Sequence, residues 1–236
     1  MKILKFLITL KNTDSFYNKN RINPNEFINS IFDGRKVDAK EYFDLCVNRK
    51  DDILTPSEYG CAKNHLICLK KFINDDADIC LILEDDVEII PEYKNLLEEI
   101  ESFFHSKDVD LLHLGGIDHT NSKKLFYSKS NQPYKLDHFL LKHFWTTAGY
   151  AINKKAAQRI VDKQEKNLSV ADKWSHFIDK DLNFYFVNYL KHPTNLVESS
   201  IAFERQGLNL KKLIEAIFLK LLIPFAYLKN LINIKK

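Results

Sequence analysis

Three consecutive carboxylates, Glu84, Asp85 and Asp86, follow directly on the apolar run of residues 79–83. Five apolar residues in a row are typical of a strand that is buried on both of its faces. In an open α/β sheet, ligands bind at the edge where such strands end. Adjacent carboxylates repel one another unless a cation or hydrogen-bond donors offset their charge. Because Mg²⁺ and Mn²⁺ are commonly held by one or two carboxylates together with phosphate oxygens, the stretch predicts a divalent metal that carries a phosphate-bearing substrate.

A second interpretation of the same acids is open at this stage. Asp85 or Asp86 could cap a helix that begins near Pro91, and Glu84 could form an ion pair with a lysine. Short acidic side chains are frequent helix caps, so the stretch by itself favours neither interpretation.

The composition restricts how a phosphate group can be bound. The 236 residues include only six glycines, and neither a P-loop nor a GxGxxG pattern is present, so something other than a backbone cradle must hold a phosphate. A hydrophobic content of 45% supports a sizeable core, and the length predicts one domain, or one domain with a small appendage. The formal net charge of +3 argues against a nucleic-acid partner.

Cysteine usage and the first residues bear on the compartment. The cysteines form no CxxC pair, which predicts neither a zinc site nor a disulfide framework and fits a reducing cytoplasm; they lie at positions 46, 61, 68 and 80. Residues 1–10 resemble a short signal sequence, but Lys5 interrupts the apolar run and no small-residue cleavage site follows, so we expect a first strand. No apolar run has the length of a membrane-spanning helix.

Apolar patterns predict the elements that must position the acids. Strands are predicted at residues 3–10, 79–83, 109–114, 145–152 and 184–190, and helices from Thr55, from Pro91 and over 154–161. The alternation of strands and helices in the first half predicts an α/β domain with a mostly parallel sheet.

The helix that begins at Thr55 has the clearest start. Thr55 can cap it, Pro56 suits the first helical position and Glu58 completes a capping box. His65 lies on one flank of this helix, four residues after Cys61. The pattern favours neither a functional histidine nor a hydrogen-bonded histidine of the core.

Five motifs lie in order along residues 3–205. They are FDG at 32–34, SEYGCAKNH at 57–65, ILEDDV at 82–87, TAGYAINKKAA at 147–157 and VAD at 170–172. These motifs resemble the signatures AxDG, GEIGCxxSH, ILEDDV, GTxAYxISxxGA and PVD of glycosyltransferase family 25, which contains bacterial lipooligosaccharide galactosyltransferases and collagen-modifying relatives. Each motif is weak alone, and together they are specific. Asn64 stands where the family usually has serine, and Asp172 is shifted by one residue from the family position.

The resemblance implies an α/β fold of the GT-A type, Rossmann-like, with a mostly parallel mixed sheet flanked by helices. It also implies a nucleotide-sugar donor and usually inversion at the anomeric carbon. An acceptor hydroxyl would attack the sugar while UDP leaves, and Mn²⁺ or Mg²⁺ would stabilise the charge of the diphosphate. On this interpretation Glu84 and Asp86 are the metal ligands. The implied donor-binding residues are Asp33, Gly34, His65 and Asp85.

Inversion requires a general base near the acceptor hydroxyl. Asp172 is the first candidate and Asp118 the second, and a helix cap is an equally good interpretation of Asp172. Trp145 and Trp174 could stack on acceptor sugars. Core packing is the better interpretation of Trp145, and the choice is open for Trp174.

Residues 207–236 differ in composition from the rest of the chain. They contain six lysines and one acid, Glu215, with a wide apolar stripe over residues 210–228. The pattern predicts a basic amphipathic helical tail that binds the anionic inner-membrane surface. The alternative is packing on its own domain or against a second subunit.

The sequence therefore predicts a GT-A-like glycosyltransferase domain at residues 1–206 and a tail at residues 207–236. The expected activity is transfer of galactose from UDP-galactose to a lipid-linked lipooligosaccharide or lipopolysaccharide acceptor, in the cytoplasm at the inner-membrane face. Two alternatives are open. A sugar-nucleotide nucleotidyltransferase also uses acids after a strand, although it would normally carry a glycine-rich, basic loop. A catalytically inactive, membrane-associated glycan-binding protein is the other.

Overall fold

A computed structural model describes residues 1–10, 13–47, 53–90, 95–116 and 132–191. Three sequence predictions lie outside these residues: the helix start at Pro91, the second base candidate Asp118, and the tail at 207–236.

The described strands form one mixed sheet in the order β2-β1-β3-β7-β5-β8-β4, and β6 also pairs with β8. Their bounds are β1 (Ile3–Ile8), β2 (Ile28–Ser30), β3 (Ile79–Glu84), β4 (Glu88–Ile89), β5 (Leu111–Gly115), β6 (Tyr134–Lys135), β7 (Gly149–Asn153) and β8 (Phe184–Lys191). The pairs β1–β2, β1–β3 and β5–β8 are parallel, whereas β7 is antiparallel to both β3 and β5.

Helices cover both faces of the sheet. They are α1 (Asp14–Asn20), α2 (Ala39–Tyr42), α3 (Pro56–Ile73), α4 (Leu96–Ser106), α5 (Lys154–Lys166) and α6 (Trp174–Phe177). The capping box at Thr55 and Glu58 is present, which confirms the predicted start of α3. Within the described part of the chain, no helix has the length and apolar character needed to cross a membrane.

The core has two halves because side chains alternate along β1 and β3. Phe6, Cys80 and Ile82 pack with α3, α5 and α6 on one face. Leu7 and Leu81 pack with α1 and α4 on the other. A mixed sheet between two helical layers confirms the predicted GT-A-like α/β class. The sheet is not mostly parallel as predicted, because three of its described pairings are parallel and four are antiparallel.

The position of β7 decides which residues meet beside the acids. Leu83, near the end of β3, pairs with Gly149 at the start of β7 because the two strands are antiparallel. The segment that leads into β7 therefore lies at the carboxyl end of β3, beside Glu84. The motif residues around 147 and the acids after β3 share one edge of the sheet.

Candidate active site

Glu84 ends β3 with its carboxylate held by two side chains from other elements. Its Oε1 accepts a hydrogen bond of 2.5 Å from Thr147 Oγ1 and lies 3.1 Å from His65 Nε2. A hydroxyl and an imidazole thus both bind this one carboxylate oxygen. The Glu84 side chain keeps 21% of its surface exposed, whereas that of His65 keeps 6%. One side of the carboxylate is therefore fixed while another part stays accessible to a ligand.

His65 connects Glu84 to the core through Tyr150. The Tyr150 hydroxyl lies 3.0 Å from His65 Nδ1, and the two rings stack with centroids 5.6 Å apart. Burial raises the pKa of Tyr150 well above its ordinary value, so the phenol stays protonated and can donate. A neutral imidazole with its proton on Nε2 accepts from Tyr150 and donates to Glu84, which satisfies both contacts. His65 is therefore a buried histidine of the core that also binds Glu84, and its predicted role in donor binding stays a prediction.

Thr147 is held by a fixed neighbour. The carbonyl of Thr146 accepts hydrogen bonds from His113 Nε2 at 3.0 Å and from Trp174 Nε1 at 2.7 Å. Burial lowers the pKa of His113 to about 3, so its ring is neutral, and Gly115 N donates to its Nδ1. The proton of His113 therefore lies on Nε2, toward Thr146. No local pattern distinguishes Thr147 as a site residue, although it begins the motif at 147–157.

Glu84 and Asp85, two of the three adjacent acids, bind different partners. The hydroxyl of Thr9, just after β1, donates to Asp85 Oδ2 at 2.6 Å, and Asp85 N donates to Ile8 O. Glu84 is bound by His65 instead. This divergence explains how adjacent carboxylates are accommodated without full mutual repulsion. It also places Asp85 on the β1 side of the acids.

Asp33 and Gly34 follow β2 and pack against the start of α3. Asp33 accepts hydrogen bonds from Arg35 Nε at 2.8 Å and Nη2 at 3.1 Å, and these hold the pKa of Asp33 below its usual value. A Cβ at Gly34 would lie 2.1 Å from Pro56 O and 2.6 Å from Gly60 N. Glycine is therefore required at 34 for close packing on the helix. The predicted donor contacts of both residues stay predictions.

Asn64, which stands where the family usually has serine, binds the segment before Asp33 to α3. Its Oδ1 accepts from Ser30 Oγ at 2.7 Å and from Phe32 N at 2.9 Å. Its Nδ2 donates to Phe32 O at 2.8 Å and Gly60 O at 2.9 Å. These four bonds use the full capacity of a buried amide. The backbone that leads to Asp33 is therefore fixed relative to the helix that carries His65.

Cys61 lies one helical turn from His65, and nearby acids affect the pKa of its thiol. Burial raises the pKa of the Cys61 thiol well above its ordinary value, and the charges of Glu84, Asp172 and Asp86 raise it further. Asp86 and Asp172 therefore lie close enough to Glu84 to act on the same thiol. This places Asp172, the first base candidate, at the same edge as the predicted metal ligands.

Asp172 lies directly before α6. Lys173, not Asp172, occupies the N-cap of this helix, and it makes no side-chain cap. The backbone carbonyl of Asp172 accepts a hydrogen bond of 3.0 Å from Trp174 N. Trp174 is a core residue with 1% exposure, and its ring is bound to Thr146, so Asp172 is tied to the segment that carries Thr147.

Two sets of possible metal ligands meet at Glu84. In the described ranges, one group of three residues has its ligand atoms within 4.8 Å of one another, namely Cys61, His65 and Glu84. Thiol and imidazole suit softer ions such as Zn²⁺. The carboxylates of Glu84 and Asp86 are hard oxygen ligands, which suit Mg²⁺ or Mn²⁺. The chemistry of the two carboxylates therefore fits the ion that the family resemblance implies.

The comparisons with known proteins decide the family. A family model described as glycosyltransferase family 25 (LPS biosynthesis protein) matches residues 5–174. The chain belongs to glycosyltransferase family 25. The family 25 match includes every described site residue named above, from Thr9 to Asp172. No curated protein matches the chain by sequence at a significant level.

Solved structures resemble the family 25 fold at low sequence identity. A197 from STIV is 15% identical over 83% of this chain and 87% of its own, with a TM-score of 0.45. Mannose-1-phosphate geranyltransferase from Thermus thermophilus is 11% identical over 82% of this chain and 75% of its own, with a TM-score of 0.46. S. aureus TarS 1-349 in complex with UDP-GlcNAc is 12% identical over 96% of this chain and 66% of its own, with a TM-score of 0.44. At these TM-scores the likenesses carry no argument about function.

Proposed function

We propose that this family 25 glycosyltransferase transfers galactose from UDP-galactose to a lipooligosaccharide or lipopolysaccharide glycan with inversion. The observation that carries the proposal is the fixed carboxylate of Glu84, which His65 and Thr147 hold at the end of β3. The charges of Asp86 and Asp172 act on the same small region. A preorganised acidic edge of this kind suits a reaction in which a nucleoside diphosphate leaves.

Glu84 and Asp86 would hold Mn²⁺ or Mg²⁺, which when bound neutralises the charge of the leaving diphosphate. The β1 side of the edge would receive the nucleotide. Asp85 is oriented there by Thr9, and Asp33 follows β2, the neighbour of β1. This arrangement leaves the β7 side of the edge for the acceptor.

Asp172 is the general base of the proposed reaction. Its carboxylate takes the proton of the acceptor hydroxyl as that oxygen bonds to the anomeric carbon. The bond from the same carbon to the diphosphate oxygen breaks, and the electron pair leaves with UDP. The position of Asp172 supports the role, because Trp174 ties this residue to Thr146 on the β7 side of Glu84.

A donor screen tests the proposal. UDP release from UDP-galactose, UDP-glucose and UDP-N-acetylglucosamine would be measured with de-lipidated lipopolysaccharide core oligosaccharide as the acceptor. UDP-galactose should give the fastest acceptor-dependent release, EDTA should stop it, and Mn²⁺ should restore it. Full activity in excess EDTA would contradict the proposed metal dependence. Failure of every donor to release UDP would contradict the proposed transferase activity.

Two variants sharpen this screen. Asp86→Asn should abolish transfer without unfolding the protein. Asp76→Asn is the matched control because Asp76 is an exposed acid bound to Lys2, away from the acidic edge. Equal losses in both variants would contradict the assigned role of Asp86.

The proposed location is the cytoplasmic face of the inner membrane. The basic, apolar composition of residues 207–236 supports it. Lysines near an anionic surface attract it by about 1 kcal/mol each. A lipid-linked acceptor would be reached from the same surface.

A further inference from the structure

Trp145 is an exposed indole beside the acidic edge. Its side chain is 48% exposed, whereas Trp174, the other tryptophan, is 1% exposed. The sequence interpretation of Trp145 as a core residue was therefore wrong. Apolar side chains as large as tryptophan are highly buried on average, so the exposure of Trp145 at this place requires an explanation.

The backbone around Trp145 is fixed on both sides. Phe144 before it is buried, and the carbonyl of Thr146 after it receives the two hydrogen bonds from His113 and Trp174. The indole Nε1 donates to Lys142 O at 3.1 Å, which restrains the ring. A restrained aromatic face loses little conformational entropy when a ligand stacks on it.

Trp145 lies close to the proposed chemistry and on one particular side of it. Two residues span at most about 7 Å, and Thr147, two residues on, donates to Glu84. The strand order β2-β1-β3-β7 places the segment before β7 on the side of β3 away from β1 and β2. Asp85 and Asp33, the donor candidates, lie on that β1–β2 side. The base candidate Asp172 lies on the Trp145 side, since Thr146 O binds Trp174.

We propose that Trp145 is the stacking platform for a pyranose ring of the acceptor glycan. The C–H bonds on one face of a pyranose carry partial positive charge, and the face of an indole carries partial negative charge. The platform would orient the sugar so that its hydroxyl faces Asp172. This inference rests on the proposed function, because it assigns the acceptor subsite of the same active site.

Tryptophan fluorescence tests binding independently of activity. Acrylamide quenching of the wild type reports chiefly on Trp145, since Trp174 is buried. De-lipidated core oligosaccharide should protect this fluorescence, and UDP with Mn²⁺ should not. The protection should be absent in Trp145→Phe, in which only Trp174 emits.

Kinetics give the second measurement. Trp145→Ala should raise the acceptor KM by about tenfold, with the donor KM within about twofold of wild type. Trp145→Phe should recover most of the acceptor affinity because it keeps an aromatic face. Phe139→Ala is the matched control. Phe139 is also 50% exposed, but it lines a cleft with Phe184 and Tyr185 at the start of β8, the opposite edge of the sheet.

The outcomes separate the subsite from the proposed function. Suppose that the enzyme glycosylates the oligosaccharide but the oligosaccharide does not protect Trp145 from quenching, or that Trp145→Ala keeps the wild-type acceptor KM. In either case the assignment of Trp145 to the acceptor subsite is wrong, and the proposed function stands. If UDP protects Trp145 instead, the indole belongs to the donor site and the proposal is overturned. If the wild type neither binds UDP nor transfers from any donor, the proposed function fails and the subsite fails with it. Thermal unfolding of each variant confirms that a kinetic loss is not a loss of folding.

Discussion

His65 Nε2 lies 3.1 Å from Glu84 Oε1, which joins the middle of helix α3 to the end of strand β3. The helix can position the acid because its own start is fixed by the capping box at Thr55. The strand can present the acid because its apolar residues are buried on both faces. One contact between two predictable elements thus creates the centre of the site.

The first prediction concerns this contact. His65→Ala should lower kcat/KM by about 10- to 100-fold, because it removes the imidazole that binds Glu84 and a hydrogen bond to a charged group contributes about 1.5–3 kcal/mol. Tyr150→Phe is the control, since it removes only the bond on the far side of the imidazole. Steady-state transfer and thermal unfolding would be measured for both. Equal activity losses in the two variants would show that His65 acts through core packing alone.

The second prediction concerns the base. Asp172→Asn should lower turnover by about 10²–10⁴-fold, with UDP affinity near that of the wild type, because the amide cannot take the acceptor proton. The turnover of Asp118→Asn, measured in the same way, shows which of the two candidates is the base. Normal transfer by Asp172→Asn together with loss in Asp118→Asn would reverse the assignment.

The third prediction concerns Asn64. Asn64→Ala should lower the free energy of unfolding by about 1–3 kcal/mol, because partners of four buried hydrogen bonds are left without it. Asn64→Ser, the residue usual in the family, should cost less, since a hydroxyl replaces some of these bonds. Urea unfolding at neutral pH gives both values. A stable Asn64→Ala variant would mean that the segment before Asp33 does not depend on this amide.

The fourth prediction concerns pH. The pKa of His113 falls from 6.5 to about 3 on burial, so between these values the unfolded chain binds a proton that the folded chain does not. The free energy of unfolding should therefore fall as the pH drops from 6.5 toward 3, by up to about 1.4 kcal/mol per pH unit from this group. His113→Gln cannot titrate, and its urea unfolding at pH 7.5, 6 and 5 should show a shallower slope than the wild type. Identical slopes would contradict the conclusion that His113 is buried in its neutral form and contributes to the pH dependence of stability.

The fifth prediction concerns the tail. Truncation after Gly207 should leave an enzyme that is active on soluble oligosaccharide but no longer co-sediments with anionic liposomes. Binding of the full chain should weaken as salt rises, because lysine attraction to anionic lipid is screened. An unfolded or insoluble truncated protein would instead favour packing of the tail on the domain or on a second subunit.

Sequence alone determined the elements that have a strong local pattern. The buried runs of β1, β3, β5 and β8 and the capping box of α3 are readable from neighbouring residues. Each follows from burial or from local capping, which depend on residues close in the chain. The motifs at 57–65 and 82–87 likewise pointed to the family that the match over residues 5–174 shows.

Other elements exist only through pairing. Strands β4 and β6 have two residues each, too few for any periodicity, and both are defined by their hydrogen bonds to β8. The antiparallel insertion of β7 between β3 and β5 is likewise a long-range choice. It brought Thr147 to Glu84, which no local pattern indicated.

The two tryptophans show the same limit. Both are large aromatic residues of the kind that usually lies in the core, yet Trp174 is buried and Trp145 is exposed. The difference arises because Trp174 packs against His113, Tyr150 and Phe184, which come from three different strands. The sequence determined that an acidic edge would exist, since that depends on one strand and the residues after it. Only the tertiary structure decided which side chains surround that edge, because burial depends on what distant segments bring against a residue.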